Sequence, residues 1–397
     1  MSLSTKITVG LIFGLFVGIF FPDESAYLKP IGTLFLNFLK MGVMPLVFLS
    51  LVGSITFFRD IGELKRVGIK TFSWFLILTV SAGVLALGVG HYFWGEAYFL
   101  GSKFSFFNFL SLVLNQLIEA VPYNPFLAFI DGNILQVVVL SLVFSIALVL
   151  VGKDADPLLV VFRSAEKVVF KLISLVIAMS PYGIFALVAA EFSKLGGALL
   201  YLIAGFLGAI LIASVLHVVF VYGGILLFKV RGNPIAVLYK VWDIAVIASS
   251  TTSASAALPT GLRVAKQRLG ISDKIAGFVL PLGSVSNKGG TVIFQVLASF
   301  FIAHFYHIPL SIDHEIIIVL TAVMSSFGTP SVSGAGILIL IAILNSVGLP
   351  VEGLALIVGV DRIFDMIRTP INVIGDSVVA IVVAVSEKEV DHSLLKA

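Results

Sequence analysis

The sequence predicts an all-α polytopic membrane protein with eight membrane-crossing segments and two re-entrant helical hairpins. The 397-residue chain is 59% hydrophobic and only 12% charged, with a mean hydropathy of +1.13. That is more apolar surface than a soluble core of this length hides from water. Apolar runs of about 20 residues, the length a bilayer crossing needs, recur along it. Two further runs are broken mid-length by small, polar and helix-breaking residues.

The first run, Ile7 to Phe21 after Lys6, has the look of a secretory signal. No small-residue cleavage site follows and Pro22-Asp23-Glu24 ends it, so it reads as a retained span at 7–22. Further spans are expected at 31–57 and 71–94. The stretch 104–151 is longer than one crossing needs and carries Pro122, Pro125 and Asp131-Gly132-Asn133, which predicts several pieces. Spans then follow at 158–190, 196–228, 275–303 and 350–385.

The interrupted segments, 235–262 and 315–347, have centres reading SSTTSASAALPTG (Ser249 to Gly261) and SSFGTPSVSGAG (Ser325 to Gly336). Unpaired backbone is tolerated at membrane depth only where it is enclosed by protein or lines a watery cavity. Paired interruptions of this kind point to a binding site. The plainer reading is two ordinary helices whose small residues let neighbours pack closely.

Loop charge separates the two readings. With the N-terminus inside, the cytoplasmic ends hold the basic residues from Arg59 to Lys70, Lys153 to Lys171, Lys229 to Lys240, Arg263 to Lys274, and Lys388; the outer loops hold only Lys29, Lys103 and Lys194. Both flanks of 235–262 are basic, whereas 304–352 has no Lys or Arg. One hairpin therefore enters from inside and the other from outside. Both termini are expected in the cytoplasm, in a cell (inner) membrane. The net charge of +3 sits in loops, without a basic stripe interleaved with aromatics, so nucleic acid is not an expected partner. The absence of cysteine excludes disulfides and thiol chemistry.

The last segment reads GVDRIFDMIRTPINVIGDSVV. At 100° per residue, Asp361, Asp365, Arg368, Thr369, Asn372 and Asp376 fall within an arc of about 100°. Each ionisable group at membrane depth costs about 2.5–3.5 kcal/mol on insertion scales, so such a stripe normally faces a site. A structural Asp365–Arg368 bridge would leave Thr369, Asn372 and Asp376 unexplained. An arginine fork binds a carboxylate, and an aspartate three residues earlier offers a counter-charge to an ammonium. Together they suit an acidic amino acid, whose second carboxylate a Ser/Thr-rich hairpin tip could bind. Asn372 and Asp376, with Asn287 from a broken helix at 284–291, offer hard oxygen ligands suited to sodium.

Seven motifs carry a family resemblance across essentially the whole chain: LKMGVMPLVFLSLV near residue 45, NILQVVVLSLVFSIAL, SPYGIFAL, SSTTSASAALPTGLRVA, LPLG with NKGGT, FGTPSVSGAG and VDRIFDMIRTPINVIGD. The sequence resembles the dicarboxylate/amino acid:cation symporters, which include the glutamate transporters. The resemblance implies inverted repeats, an elevator fold and a homotrimer. Scaffold helices would lie in 1–70 and 101–193, a transport part in 71–100 and 194–388 with hairpins at 235–265 and 313–347, and a cytoplasmic tail at 389–397.

Carried over by position, the family's substrate residues are Ser253, Ala254, Ser255, Thr291, Val332, Gly336, Asp365, Arg368, Thr369 and Asn372. Family members taking dicarboxylates lack the aspartate at 365, and those taking neutral amino acids lack the arginine. Aspartate or glutamate is therefore the implied substrate.

The sequence departs from the family at the cation sites. The usual Asn-Met-Asp-Gly-Thr is here Asn287-Lys288-Gly289-Gly290-Thr291, and the usual tyrosine, threonine and serine of the third helix align with Phe75, Leu78 and Thr79. One of three sodium sites is therefore expected to be absent, with the Lys288 ammonium as a tethered substitute. The alternative is a Lys288 that points to the cytoplasm or pairs with Asp361. A first sodium site could persist on Gly283, Asn287, Asn372 and Asp376, and a second on carbonyls near Ser326 and Thr329. A lysine in a low-dielectric site can release its proton, which leaves a proton route through Lys288 open. Gln295, where animal members carry a glutamate, closes another.

Two other classes fit poorly. A channel would want a ring of repeated ligands, and this stripe is asymmetric. A membrane hydrolase would need a triad, yet of six histidines only His217 lies deep in a helix, without a carboxylate or serine on its face.

Overall fold

The computed structural model describes residues 3–56, 62–95, 114, 118–131, 133–195, 198–230, 232–327, 335–358 and 360–391. Among them no strand forms, and one isolated antiparallel bridge joins Ile271 to Val390.

The first three long helices are α1 (Leu3–Phe20), α2 (Lys29–Ile55) and α3 (Gly62–Trp94). They are followed by α4 (Ile134–Val151), α5 (Asp156–Ala178), α6 (Ser180–Leu195) and α7 (Ala198–Leu216). The described part of the 104–151 stretch does break: a short helix Pro125–Ile130 ends at Asp131, and Asn133 caps α4 by accepting from the N–H of Gln136 at 3.2 Å.

Of the next two boundaries, one differs from expectation. The charged Lys153-to-Asp156 segment separates two helices, as expected: Gly152 ends α4 with φ +72°, a 3₁₀ turn spans Gly152–Ala155, and the rings of Phe144 on α4 and Phe162 on α5 come within 5.6 Å of each other. Pro157 falls in the first turn of α5, where a missing N–H removes no helical bond. The run 158–190, expected as one span, instead divides at Met179, and Pro181 restarts the helix from its first turn. Five described helices are long and apolar enough to cross a bilayer, or six if the bent pair Pro234–Lys240 and Trp242–Thr251 counts as one span.

Helix α1 packs along α6, and α2 against α4, α5 and α6. Gly10 and Gly14, one turn apart on α1, lie on the main chain of Pro181 and Phe185; a methyl on Gly14 would come within 2.8 Å of the Phe185 carbonyl oxygen. This is close packing through small residues. The other group centres on α12 (Gly289–Phe305), which lies along α3, and on α15 (Asp361–Glu387). Helix α7 continues through two π-helical turns, His217–Tyr222 and Leu226–Val230.

The segment at 235–262 is a hairpin. Helix α8 (Pro234–Lys240) bends by 51° into α9 (Trp242–Thr251), which turns at Thr252-Ser253 into α10 (Ala254–Gln267). The open ends meet, since Arg268 donates to the Lys240 carbonyl at 3.3 Å and pairs with Asp243 at 2.8 Å. Helices α13 (Ile312–Ser326) and α14 (Ala335–Ser346) pack together as the arms of the second interrupted segment. Its centre, with the expected site residues Thr329 and Val332, lies outside the described residues.

Candidate functional site

The site forms around a helix break at Asn287 and Lys288. Helix α11 (Asp273–Ser286) stops at Asn287, which is extended (φ −99°, ψ 106°), and α12 starts at Gly289. Asn287 donates its amide to an Asp376 carboxylate oxygen at 2.9 Å and to the Asn372 carbonyl at 3.2 Å. Its own N–H returns to the Gly283 carbonyl at 2.9 Å. Asp376 rests on Gly283 so closely that a methyl there would lie 2.5 Å from a carboxylate oxygen. Asn372 accepts from the Gly290 N–H at 2.9 Å, and its amide lies 3.4 Å from the Thr291 hydroxyl. The expected first cation group, Gly283, Asn287, Asn372 and Asp376, is thus gathered in one place. Its hard oxygens suit sodium, and the Asn287 side-chain oxygen has no hydrogen-bond partner there.

The six residues of the polar stripe on α15 are all buried. Arg368, 2% exposed, is held between two carboxylates, Asp365 at 2.8 Å from Nε and Asp361 at 3.2 Å from Nη1. Its guanidinium carbon stands 4.5 Å from the centre of the Phe294 ring. On the side of the second hairpin it abuts Gly336, where a methyl would come within 3.0 Å. Gln295 fixes that approach by donating to the Gly336 carbonyl at 3.2 Å. The Asp365–Arg368 pair forms as the spacing suggests, but as part of a three-membered ionic cluster rather than a bridge between helices.

Pro370 explains how the first hairpin meets this helix. Lacking an N–H, it leaves the Met366 carbonyl without its helical donor. The Ser249 hydroxyl donates to that carbonyl at 2.9 Å. At the tip, Ser253 caps α10 by accepting from the Ala256 N–H at 3.2 Å, Ala254 is buried and Ser255 is exposed. Pro259 likewise deprives the Ser255 carbonyl of its helical donor. Ser326, from the expected second cation group, is buried and donates to the Val323 carbonyl at 2.6 Å.

Lys288 is 3% exposed, so it does not reach the cytoplasmic surface. Its ammonium donates to the Ser284 carbonyl at 2.5 Å. That carbonyl belongs to the last turn of α11, where the helix dipole favours a cation. Asp376 and Asp365 are the nearby negative charges acting on it, and Arg368 the positive one. Asp361 is occupied by Arg368 instead. A methyl on Gly289 would face His217 Nε2 at 3.5 Å, the Tyr222 hydroxyl at 3.6 Å and Ala82 at 3.7 Å, none of them acidic. Phe75 and Leu78 are fully buried, and the Thr79 hydroxyl is bonded to the Phe75 carbonyl at 2.8 Å. These residues do not fit a sodium ion. His217 stacks edge-on against Tyr222, and among the described residues neither ring nitrogen has a hydrogen-bond partner. It serves no triad.

Sequence reasoning missed Phe294, Tyr222 and Arg362. Tyr222 donates to the Ile371 carbonyl at 3.0 Å from a π-helical turn that no pattern announces. Arg362 stands about 20° beyond the edge of the polar arc of α15, and a basic residue flanking that arc on so apolar a helix was the available signal.

An all-helical multi-pass membrane protein that buries an ionic cluster at broken helices has the architecture of a solute transporter. Residues 3–386 match the sodium:dicarboxylate symporter family, and the chain belongs to that family. It is 31% identical over 398 residues to the proton/sodium-glutamate symport protein of Bacillus subtilis, covering 96% of this chain and 92% of that one. To the C4-dicarboxylate transport protein of Rhodospirillum rubrum it is 34% identical over 406 residues, covering 99% and 90%. It is also 31% identical over 398 residues to the proton/glutamate-aspartate symporter of Bacillus subtilis, covering 96% and 94%. The protein is a transporter, not an enzyme.

Proposed function

We propose that this protein carries aspartate or glutamate across the cell membrane, with sodium coupling weakened by a built-in positive charge. The substrate assignment is carried by the buried Asp365–Arg368 pair, 2.8 Å apart. Arg368 takes the side-chain carboxylate and Asp365 the ammonium, while Ser253, Ala254 and Ser255, with the second hairpin around Val332 and Gly336, take the α-carboxylate. Thr291, Thr369 and Asn372 line the same pocket. The movement is an elevator: α3, α7, the hairpins, α11, α12 and α15 slide as one body against a homotrimeric scaffold built from the first group of helices.

The coupling follows from charge. Relative to the family's Met-Asp, Lys288 adds a positive charge and Gly289 removes a negative one, so the site needs two fewer cationic charges to be neutral. Sodium is kept only at the group of Gly283, Asn287, Asn372 and Asp376, and near Ser326 and Thr329. Calorimetry of aspartate binding to the purified protein, in sodium-free buffer and across a sodium titration, tests this. Binding nearly independent of sodium is expected; a steep rise in affinity overturns the role given to Lys288.

The second reading is a conventionally coupled carrier of C4-dicarboxylates, favoured by the similarity to C4-dicarboxylate transport proteins. Succinate binding tighter than aspartate would decide for it.

A further inference from the structure

Thr252, at the tip of the first hairpin, has φ +52° and ψ 34°. A β-branched residue is rarely found in this left-handed region and persists there only when its surroundings hold it. The hold comes from α15. Arg362 donates from Nη1 to the Thr252 hydroxyl at 2.6 Å and from Nη2 to the Ser250 carbonyl at 3.2 Å. The Ser250 carbonyl lies in the last turn of α9, where helical carbonyls lack donors and the dipole attracts a cation. One guanidinium fork thus caps an arm of the hairpin and pins the strained residue beyond it. Its helix carries Asp361 one residue before and Asp365 three residues after.

We propose that Arg362 is a positioning residue for substrate binding, fixing the tip so that Ser253 to Ser255 face the carboxylate beside Asp365 and Arg368. It acts through Thr252 and touches no substrate itself. The inference rests on the acidic amino-acid reading above and adds to it the residue that shapes the hairpin wall of the site.

The test uses the full-length purified protein. Aspartate affinity is measured by calorimetry for wild type, Arg362→Ala, Arg362→Lys, Thr252→Gly and the double variant Arg362→Ala/Thr252→Gly. Loss of a two-pronged charged hydrogen bond should raise Kd on the order of tenfold in Arg362→Ala, and Arg362→Lys, which keeps the charge without the fork, should fall between. Glycine adopts the left-handed conformation without strain, so the double variant should recover about fivefold; a residue with a merely structural role would show no such rescue. In parallel, Ala256→Cys in this cysteine-free chain is modified with a maleimide without substrate, with and without Arg362→Ala. Faster modification in the Ala background is expected. Unchanged modification with unchanged Kd, or a double variant no better than Arg362→Ala, overturns the proposal. A wild-type protein that fails to bind aspartate sinks the substrate reading instead, and leaves the maleimide comparison to decide whether Arg362 holds the tip.

Discussion

The ammonium of Lys288 lies 2.5 Å from the main-chain carbonyl oxygen of Ser284, so a side chain puts a fixed positive charge at the C-terminal end of α11. The carbonyl dipoles and the carboxylate of Asp376 would draw a free cation to the same place. Lys288→Met should therefore weaken sodium-free aspartate binding about tenfold or more, the usual scale for a lost buried charge contact, and sodium, acting at the retained group of Gly283, Asn287, Asn372 and Asp376, should restore it in part. Calorimetry at two sodium concentrations checks this; equal affinity in both would remove Lys288 from the coupling.

Rebuilding the cation site proposed to be lost needs more than one residue. Gly289 has room for a β-carbon, its nearest neighbours standing 3.5–3.7 Å away. Gly289→Asp alone should nevertheless leave sodium dependence flat, because the new carboxylate pairs with Lys288 or His217. Combined with Lys288→Met, Phe75→Tyr and Leu78→Thr, it should make aspartate affinity rise steeply with sodium. A flat titration of the fourfold variant would show that the site cannot be restored by ligands alone.

Arg368→Ala should abolish acidic amino-acid binding and also lower stability, by about 3–5 kcal/mol, since Asp361 and Asp365 are left buried without their partner. Thermal unfolding and aspartate calorimetry read the two effects separately. Normal aspartate affinity in this variant would displace the substrate site from Arg368.

Asp365→Ser removes the group assigned to the substrate ammonium and keeps the arginine. Aspartate binding should weaken while succinate binding is retained or improves, measured on the same preparation. Equal loss of both would argue against an amine contact at Asp365.

The polar stripe of α15 was legible in the sequence because one helical arc accounts for six residues, and it is buried throughout. The break at Asn287 was legible because Gly289-Gly290 follows it. Contacts made by main-chain atoms were not: Ser249 on the Met366 carbonyl and Lys288 on the Ser284 carbonyl depend on which helical donors are missing. Phe294 gave no signal, since the ring under Arg368 is one more apolar residue in an apolar helix.

Gly336 offers a test of fit rather than charge. A β-carbon there would stand 3.0–3.1 Å from the Arg368 guanidinium, tighter than an ordinary contact, and the fork is confined on its other side by Phe294 and the two aspartates. Gly336→Ala should therefore move Arg368 off its carboxylate-binding position and cost about 1–3 kcal/mol, or roughly fivefold to 150-fold in aspartate affinity. Gly277→Ala is the control: nothing lies within 4 Å of its β-carbon, and a helical alanine in place of glycine should leave binding intact and raise stability by up to about 1 kcal/mol. If Gly336→Ala binds aspartate as tightly as Gly277→Ala, the second hairpin does not press on Arg368 in the substrate-bound state, and the pocket wall on that side must come from elsewhere.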